Sequence, residues 1–226
     1  MRPVDKGKAP DAEFEKYQDA EPYLEERLGP YCSFCEYPIH HVPEVEHRES
    51  KARGGEELDW DNLLLSCKYC NTRKGKLVGK GEKEKEKYLW PDQDDTFHAF
   101  LYDETGVPKL HDIYLEKQGT DVKEKAQALF ELLKLDNVPI KPTDKDRRFK
   151  KRSEVWNNAV NSKNTWGKIK ETDMKKDYLE TIEMLAKESG FFSVWMTVFE
   201  DDIEVREMLI HTFKGTRREY CVDREV

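Results

Sequence analysis

Residues 44–76 read "EVEHRESKARGGEELDWDNLLLSCKYCNTRKGK". This stretch sets a carboxylate beside a histidine at Glu46-His47. A Gly54-Gly55 loop follows, then Asn62, an apolar run, and a Cys-x-x-Cys pair closed by Asn71. The segment "PEVEHR" predicts a short strand, and "NLLLSC" predicts a buried one. The glycine pair supplies the turn between them. Ser66 is of the residue type that caps a helix, and from it "CKYCNTRKGKL" reads as helical.

Upstream lies a second pair, "CSFC", at Cys32 and Cys35, which matches "CKYC" at Cys67 and Cys70. Two such pairs in a chain whose first residues hold no apolar signal core read as a zinc site rather than disulfides. Zinc takes four tetrahedral thiolates in closed structural sites. Such an ion staples the base of a hairpin and supplies folding energy that a polar module lacks, but performs no chemistry. Cys221 is left over, as a buried or idle thiol.

The 226 residues are 38% charged and 37% hydrophobic, with a net charge of -8. An acidic whole gives no general attraction to phosphates, so a polyanion would need a local basic patch or a partner. No apolar run has the length of a membrane span. The expected location is cytoplasmic, with no membrane contact.

The outer segments complete an α+β layout. Residues 11–28 suit short amphipathic helices stopped at Gly29-Pro30. The run "GKGEKEKEK" (79–87) reads as a solvated loop or helix face. A hairpin is expected near Thr105-Gly106. Helices are expected over "VKEKAQALFELLKL", over "TDKDRRFKKRSEVWNNAV" with a cap at Thr143 or Asp144, over two segments broken at Gly190, and over "IEVREMLIHTF". The expected organisation is a helical arm at 1–28, a zinc-stapled module at 29–110, and a helical domain at 111–226 that packs a core and docks a partner. Trp156, Phe191, Phe192 and Trp195 are divided between core and interface, with core favoured.

The order Glu46-His47, Asn62, Asn71, threaded between the cysteine pairs, resembles the HNH nuclease motif over residues 31–77. The resemblance implies a ββα-metal fold in which His47 is the general base. It implies that Glu46 and Asn71 hold a catalytic Mg²⁺ or Mn²⁺. Asn62, in the motif's middle position, orders the loop. Oxygen donors suit such hard ions. Two departures stand out: Glu replaces Asp before the histidine, and Asn replaces the final His. Neighbours on a regular strand face opposite ways, so the strand must end, twist or bulge for Glu46 and His47 to serve one phosphate. Arg48, Lys51, Arg53, Arg73, Lys74 and Lys76 are the candidate phosphate contacts, and "DRRFKKR" (146–152) is a second grip or a partner contact. His98 reads as packing before any role.

"LGPYCSFCE", "WDNLLLSCKYCNTRKG", "LFELLKL" and "GFFSVWMTVFEDDIEVREMLIHTFKGT" extend the likeness. Together they look like the PtuB-type nuclease subunit of Septu anti-phage systems, some of which accompany retrons. That resemblance implies control by an ABC/SMC-type, PtuA-like ATPase, and a DNA or RNA substrate such as tRNA. A retron reverse transcriptase with its non-coding nucleic acid is a further partner it allows. Two other readings remain open. One is a catalytically inactive zinc-stapled module that binds nucleic acid or a partner. The other is a stand-alone restriction or homing-type nuclease.

Overall fold

A computed structural model describes residues 1–77, 84–141 and 143–222, without the side chains of 76 and 77. A 3-10 turn at Tyr17–Ala20 leads into α1 (Glu21–Leu28), which ends at Gly29 with φ 72°. Strand β1 (Glu44–His47) pairs antiparallel with β2 (Leu63–Ser66). The register sets Glu44 opposite Ser66 and His47 opposite Leu63. Helix α2 (Lys68–Leu77) follows, then the short α3 (Glu84–Lys87).

The β1–β2 connection depends on its glycines. Gly54 has φ 86°, and a Cβ at Gly55 would lie 2.0 Å from the Glu49 carbonyl oxygen. Only glycine permits both the left-handed backbone and that approach. The residues from 36 to 39 form no named strand; the chain there makes a single bridge, Tyr31 to Pro38. Ser66 does not cap α2, because its hydroxyl turns to the Cys67 carbonyl. The Cys67 sulfur instead accepts from the Cys70 N–H at 3.4 Å.

Strands β3 (Phe100–Leu101) and β4 (Lys109–Leu110) form the second hairpin, with Gly106 in its turn at φ 71°. The helices α4 (Asp112–Gln118) and α5 (Thr120–Leu133) come next. The last part holds α6 (Arg148–Ile169), α7 (Lys175–Ser189), α8 (Phe192–Val198) and α9 (Ile203–Thr212). Gly190, at φ 69°, divides α7 from α8. The start of α6 differs from expectation: Asp146, not Thr143 or Asp144, accepts from the Arg148 N–H.

Two apolar clusters divide the interior. The first gathers Leu24, Leu28, Phe34, Leu63–Leu65, Trp90, the buried face of α5, and Leu135 just beyond it. The second gathers Val155, Trp166, Ile182, Trp195, Phe199 and Phe213. Helix α5 therefore packs with the ββα segment rather than with the helices after it. Phe191, Phe192 and Trp195 are fully buried in the second cluster, and Trp156 packs partly buried against it. Among the described residues, no helix is long and apolar enough to cross a membrane.

Candidate active site

The four thiols come together first. The sulfurs of Cys32, Cys35, Cys67 and Cys70 lie within 4.8 Å of one another, and Cys35 and Cys67 are 3.7 Å apart. Disulfide sulfurs sit at about 2.05 Å. Sulfurs around a tetrahedral zinc, each about 2.3 Å from the ion, are about 3.8 Å apart. The donor set and its spacing fit zinc. Four thiolates this close repel one another, so the set in its ionised form requires a cation. Ser33 N–H donates to the Leu65 carbonyl at 3.0 Å, which ties the first knuckle to β2.

Glu36 follows the first knuckle with φ 64°, a conformation that favours glycine. Its buried carboxylate offsets that strain. It accepts from Arg2 N–H at 2.5 Å, Ser193 N–H at 2.9 Å and Ser193 Oγ at 2.6 Å. Arg148 joins the other side of the zinc cluster to α6. Its Nη1 lies 3.6 Å from Cys70 Sγ, and its other nitrogens bond Asp146 and the Leu133 and Lys134 carbonyls. The guanidinium also covers the Tyr69 ring at 4.3 Å. Burial disfavours its charge, but Cys70 and Asp146 outweigh that and raise its pKa.

His47 is the last residue of β1. Its Nε2 lies 3.0 Å from the Glu57 carbonyl oxygen, and the Tyr17 ring meets it edge-on at 4.7 Å. A carbonyl only accepts, so in the neutral ring Nε2 carries the proton and Nδ1 the lone pair. The Glu46 side chain meets Lys74 on α2, while the His47 ring meets Tyr17 and the Glu57 carbonyl. Glu46 Oε1 turns back to the His47 N–H at 3.0 Å and lies 3.4 Å from Lys74 Nζ. Burial raises the Glu46 pKa, and Lys74 offsets part of this.

Asn71 and Lys74 are one turn apart on α2 and face β1. Asn71 Nδ2 donates to Glu44 Oε2 at 2.7 Å, whereas Lys74 reaches Glu46. Glu46, His47 and Asn71 make no side-chain bond to one another among the described residues. They are joined through β1 and through its contacts with α2. Oε2 of Glu46 and Oδ1 of Asn71 make no bond to the described residues, and these hard oxygen donors fit Mg²⁺ or Mn²⁺ better than a soft ion.

Asn62 has no exposed surface. Its Oδ1 accepts from Glu49 N–H at 2.9 Å, and its Nδ2 donates to the Glu49 and Glu56 carbonyls at 2.9 Å each. Asn62 thus fastens the loop between β1 and β2 through backbone groups of Glu49 and Glu56.

The expected basic patch is partly corrected. Arg48, Arg53 and Lys74 turn inward. Arg48 lies 3.7 Å from Asp92, Arg53 pairs with Glu84 at 3.0 Å, and Lys74 pairs with Glu84 at 3.1 Å. Buried carboxylates demand such partners. Glu84, in the run read as solvated, is one of them, and Lys74, Ser50 and Arg53 outweigh its burial to lower its pKa. Residues 79–83 of that run and the Lys76 side chain lie outside the described residues. Lys51 stays exposed and pairs with Glu57, and Arg73 bonds the Tyr69 hydroxyl at 2.7 Å. In "DRRFKKR", Arg148 and Arg152 are buried and offer no grip.

Other expectations find simple places. His98 bonds Asp95 at 2.8 Å, and Cys221 is buried, which pushes its thiol up to about 12. Glu36, Glu44 and Arg148 were not anticipated. Glu44 had a signal in the sequence, because residues two apart on a strand share a face with Glu46. Glu36 and Arg148 had none.

Comparison with known proteins adds one finding. Residues 32–77 match the family model for HNH endonuclease. No curated protein and no solved structure matches the chain. The matched residues are those that gather the four thiols, end β1 at His47 and set α2 across it, so residues 32–77 form an HNH-family domain on an α+β scaffold with a four-cysteine metal site.

Proposed function

We propose that the protein is a metal-dependent endonuclease that hydrolyses phosphodiester bonds in nucleic acid, with His47 as general base. The observation that carries this reading is the Glu57 carbonyl on His47 Nε2, which leaves Nδ1 as the basic nitrogen. A neutral imidazole so oriented can take a proton from water near neutral pH. Glu46 and Asn71 would hold the divalent ion, which when bound stabilises charge on the phosphate and the leaving oxygen. Tyr17 and the Glu57 carbonyl hold the imidazole ring. Asn62 holds the loop that carries that carbonyl.

One observation favours the inactive-module reading: Lys74 already neutralises Glu46. Cleavage separates the two. The chain is incubated with plasmid and with total RNA in Mg²⁺ or Mn²⁺. The nuclease reading expects cutting that His47→Ala lowers by about 100-fold or more, with zinc content unchanged. Equal cutting by His47→Ala would overturn the base assignment.

The proposal extends to a defence role under an ATPase partner. Its support is the sequence resemblance to the Septu nuclease subunit. Co-purification with an ABC/SMC-type ATPase, and cutting that depends on it, test this part.

A further inference from the structure

An amide can ligate a hard cation only through its oxygen. The two ends of an asparagine side chain have nearly the same shape, so a half-turn of the amide would replace the donor oxygen with an NH₂ group. Something beside Asn71 must therefore choose its orientation. Glu44 is placed to do so. Its Oε2 lies 2.7 Å from Asn71 Nδ2, and its Oε1 takes Lys68 Nζ at 2.8 Å. An ionised carboxylate has no proton to donate, so the atom of Asn71 that faces it must be the nitrogen. Oδ1 is then turned away, with no bond to the described residues.

The placement follows from two periodicities. Glu44 and Glu46 are two apart on β1 and share a face. Lys68, Asn71 and Lys74 are three apart on α2 and share a face. The register holds Glu44 opposite Ser66, just before α2 begins. Glu44 thus meets Asn71 while Glu46 meets Lys74.

We propose that Glu44 is a positioning residue for the divalent-cation site, fixing the Asn71 amide so that its oxygen faces the ion. This rests on the nuclease reading, which gives Asn71 its role as a ligand. Partners of this kind typically change metal affinity by about 10–100-fold.

The test titrates Mn²⁺ alone into the zinc-loaded full chain and reads free Mn²⁺ by electron paramagnetic resonance. Glu44→Ala is expected to weaken Mn²⁺ binding about tenfold or more. Glu44→Gln keeps the shape but has one oxygen, which Lys68 also takes, and an NH₂ that can face Asn71 Oδ1, so it no longer selects the amide orientation and is expected to weaken Mn²⁺ binding as well. In an Asn71→Asp background either oxygen can serve, so Glu44→Ala is expected to cost little there. The Glu44 side chain is 19% exposed and lies outside both apolar clusters, so its variants are expected to keep the melting temperature and zinc content of wild type. Should Glu44→Ala or Glu44→Gln bind as wild type, or Glu44→Ala cost as much in the Asn71→Asp background, the positioning role is overturned. If wild type binds no Mn²⁺, or Glu46→Ala and Asn71→Ala leave binding intact, the nuclease reading itself fails instead.

Discussion

Between residues 36 and 92 the interior holds Glu36, Glu46, Arg48, Glu49, Lys74, Glu84 and Asp92, alongside its apolar side chains. Between residues 155 and 213 it holds mainly Val155, Trp166, Ile182, Trp195, Phe199 and Phe213. An apolar interior is non-directional, and many packings of similar volume satisfy it. A charged interior is costly unless every group meets a partner, so few arrangements satisfy it. The HNH-family domain carries that cost where side chains must be aimed: at the Asn62-fastened loop, at the end of β1, and along the α2 face. The helices after α5 carry less of it, chiefly through Arg148 and Arg152 at the start of α6. Their task is to bury aromatic rings and to hold the zinc knuckles from outside through Arg148 and Ser193.

The strongest way to break this contrast is to remove the zinc. Structural zinc contributes on the order of 10 kcal/mol of folding free energy at neutral pH. Chelation, or Cys70→Ser, is expected to strip amide-exchange protection from residues 32–77 while α6–α9 keep theirs. Simultaneous loss in both would show one cooperative unit and end the comparison.

The next effect should run the other way. Trp195 is fully buried in the second cluster, its indole N–H bonded to Ser189 Oγ at 3.1 Å. Trp195→Ala is expected to cost about 4 kcal/mol in denaturant unfolding, with zinc content unchanged. Loss of zinc in that variant would place the ring in support of the metal site.

A smaller effect sharpens the boundary. Arg148→Met removes the guanidinium between the zinc cluster and α6, and leaves Asp146 buried with a weaker set of partners. The expected cost is about 3 kcal/mol, with faster zinc release to a chelator. A stability loss without faster release would confine Arg148 to helix packing.

Several elements were legible before any coordinates. "EVEH", "LLLS" and the helix after Cys67 fall where alternation, an apolar run and turn residues put them. The breaks at Gly29, Gly54 and Gly190 do as well. Other features were not legible. Ser66 had the chemistry of a cap, but the zinc-site geometry gives that place to the Cys67 sulfur. Glu84 sat in a run of alternating charge that looks solvated in any local window, yet it is 1% exposed. Arg48, Arg53 and Lys74 were the natural phosphate contacts on an acidic chain. They are consumed by carboxylates that arrive from elsewhere in the sequence.

Local spacing in the chain set the four-thiol cage, the two strands, the helix that follows them, and the place of Asn71 directly after Cys70. Those features depend on spacings of a few residues, which backbone geometry turns directly into neighbouring positions. The tertiary structure alone decided which of many similar charges are buried, which nitrogen of His47 is free, and that Asn71 faces Glu44 rather than Glu46. These depend on distances between segments far apart in the chain, and desolvation assigns its cost only after the segments have met.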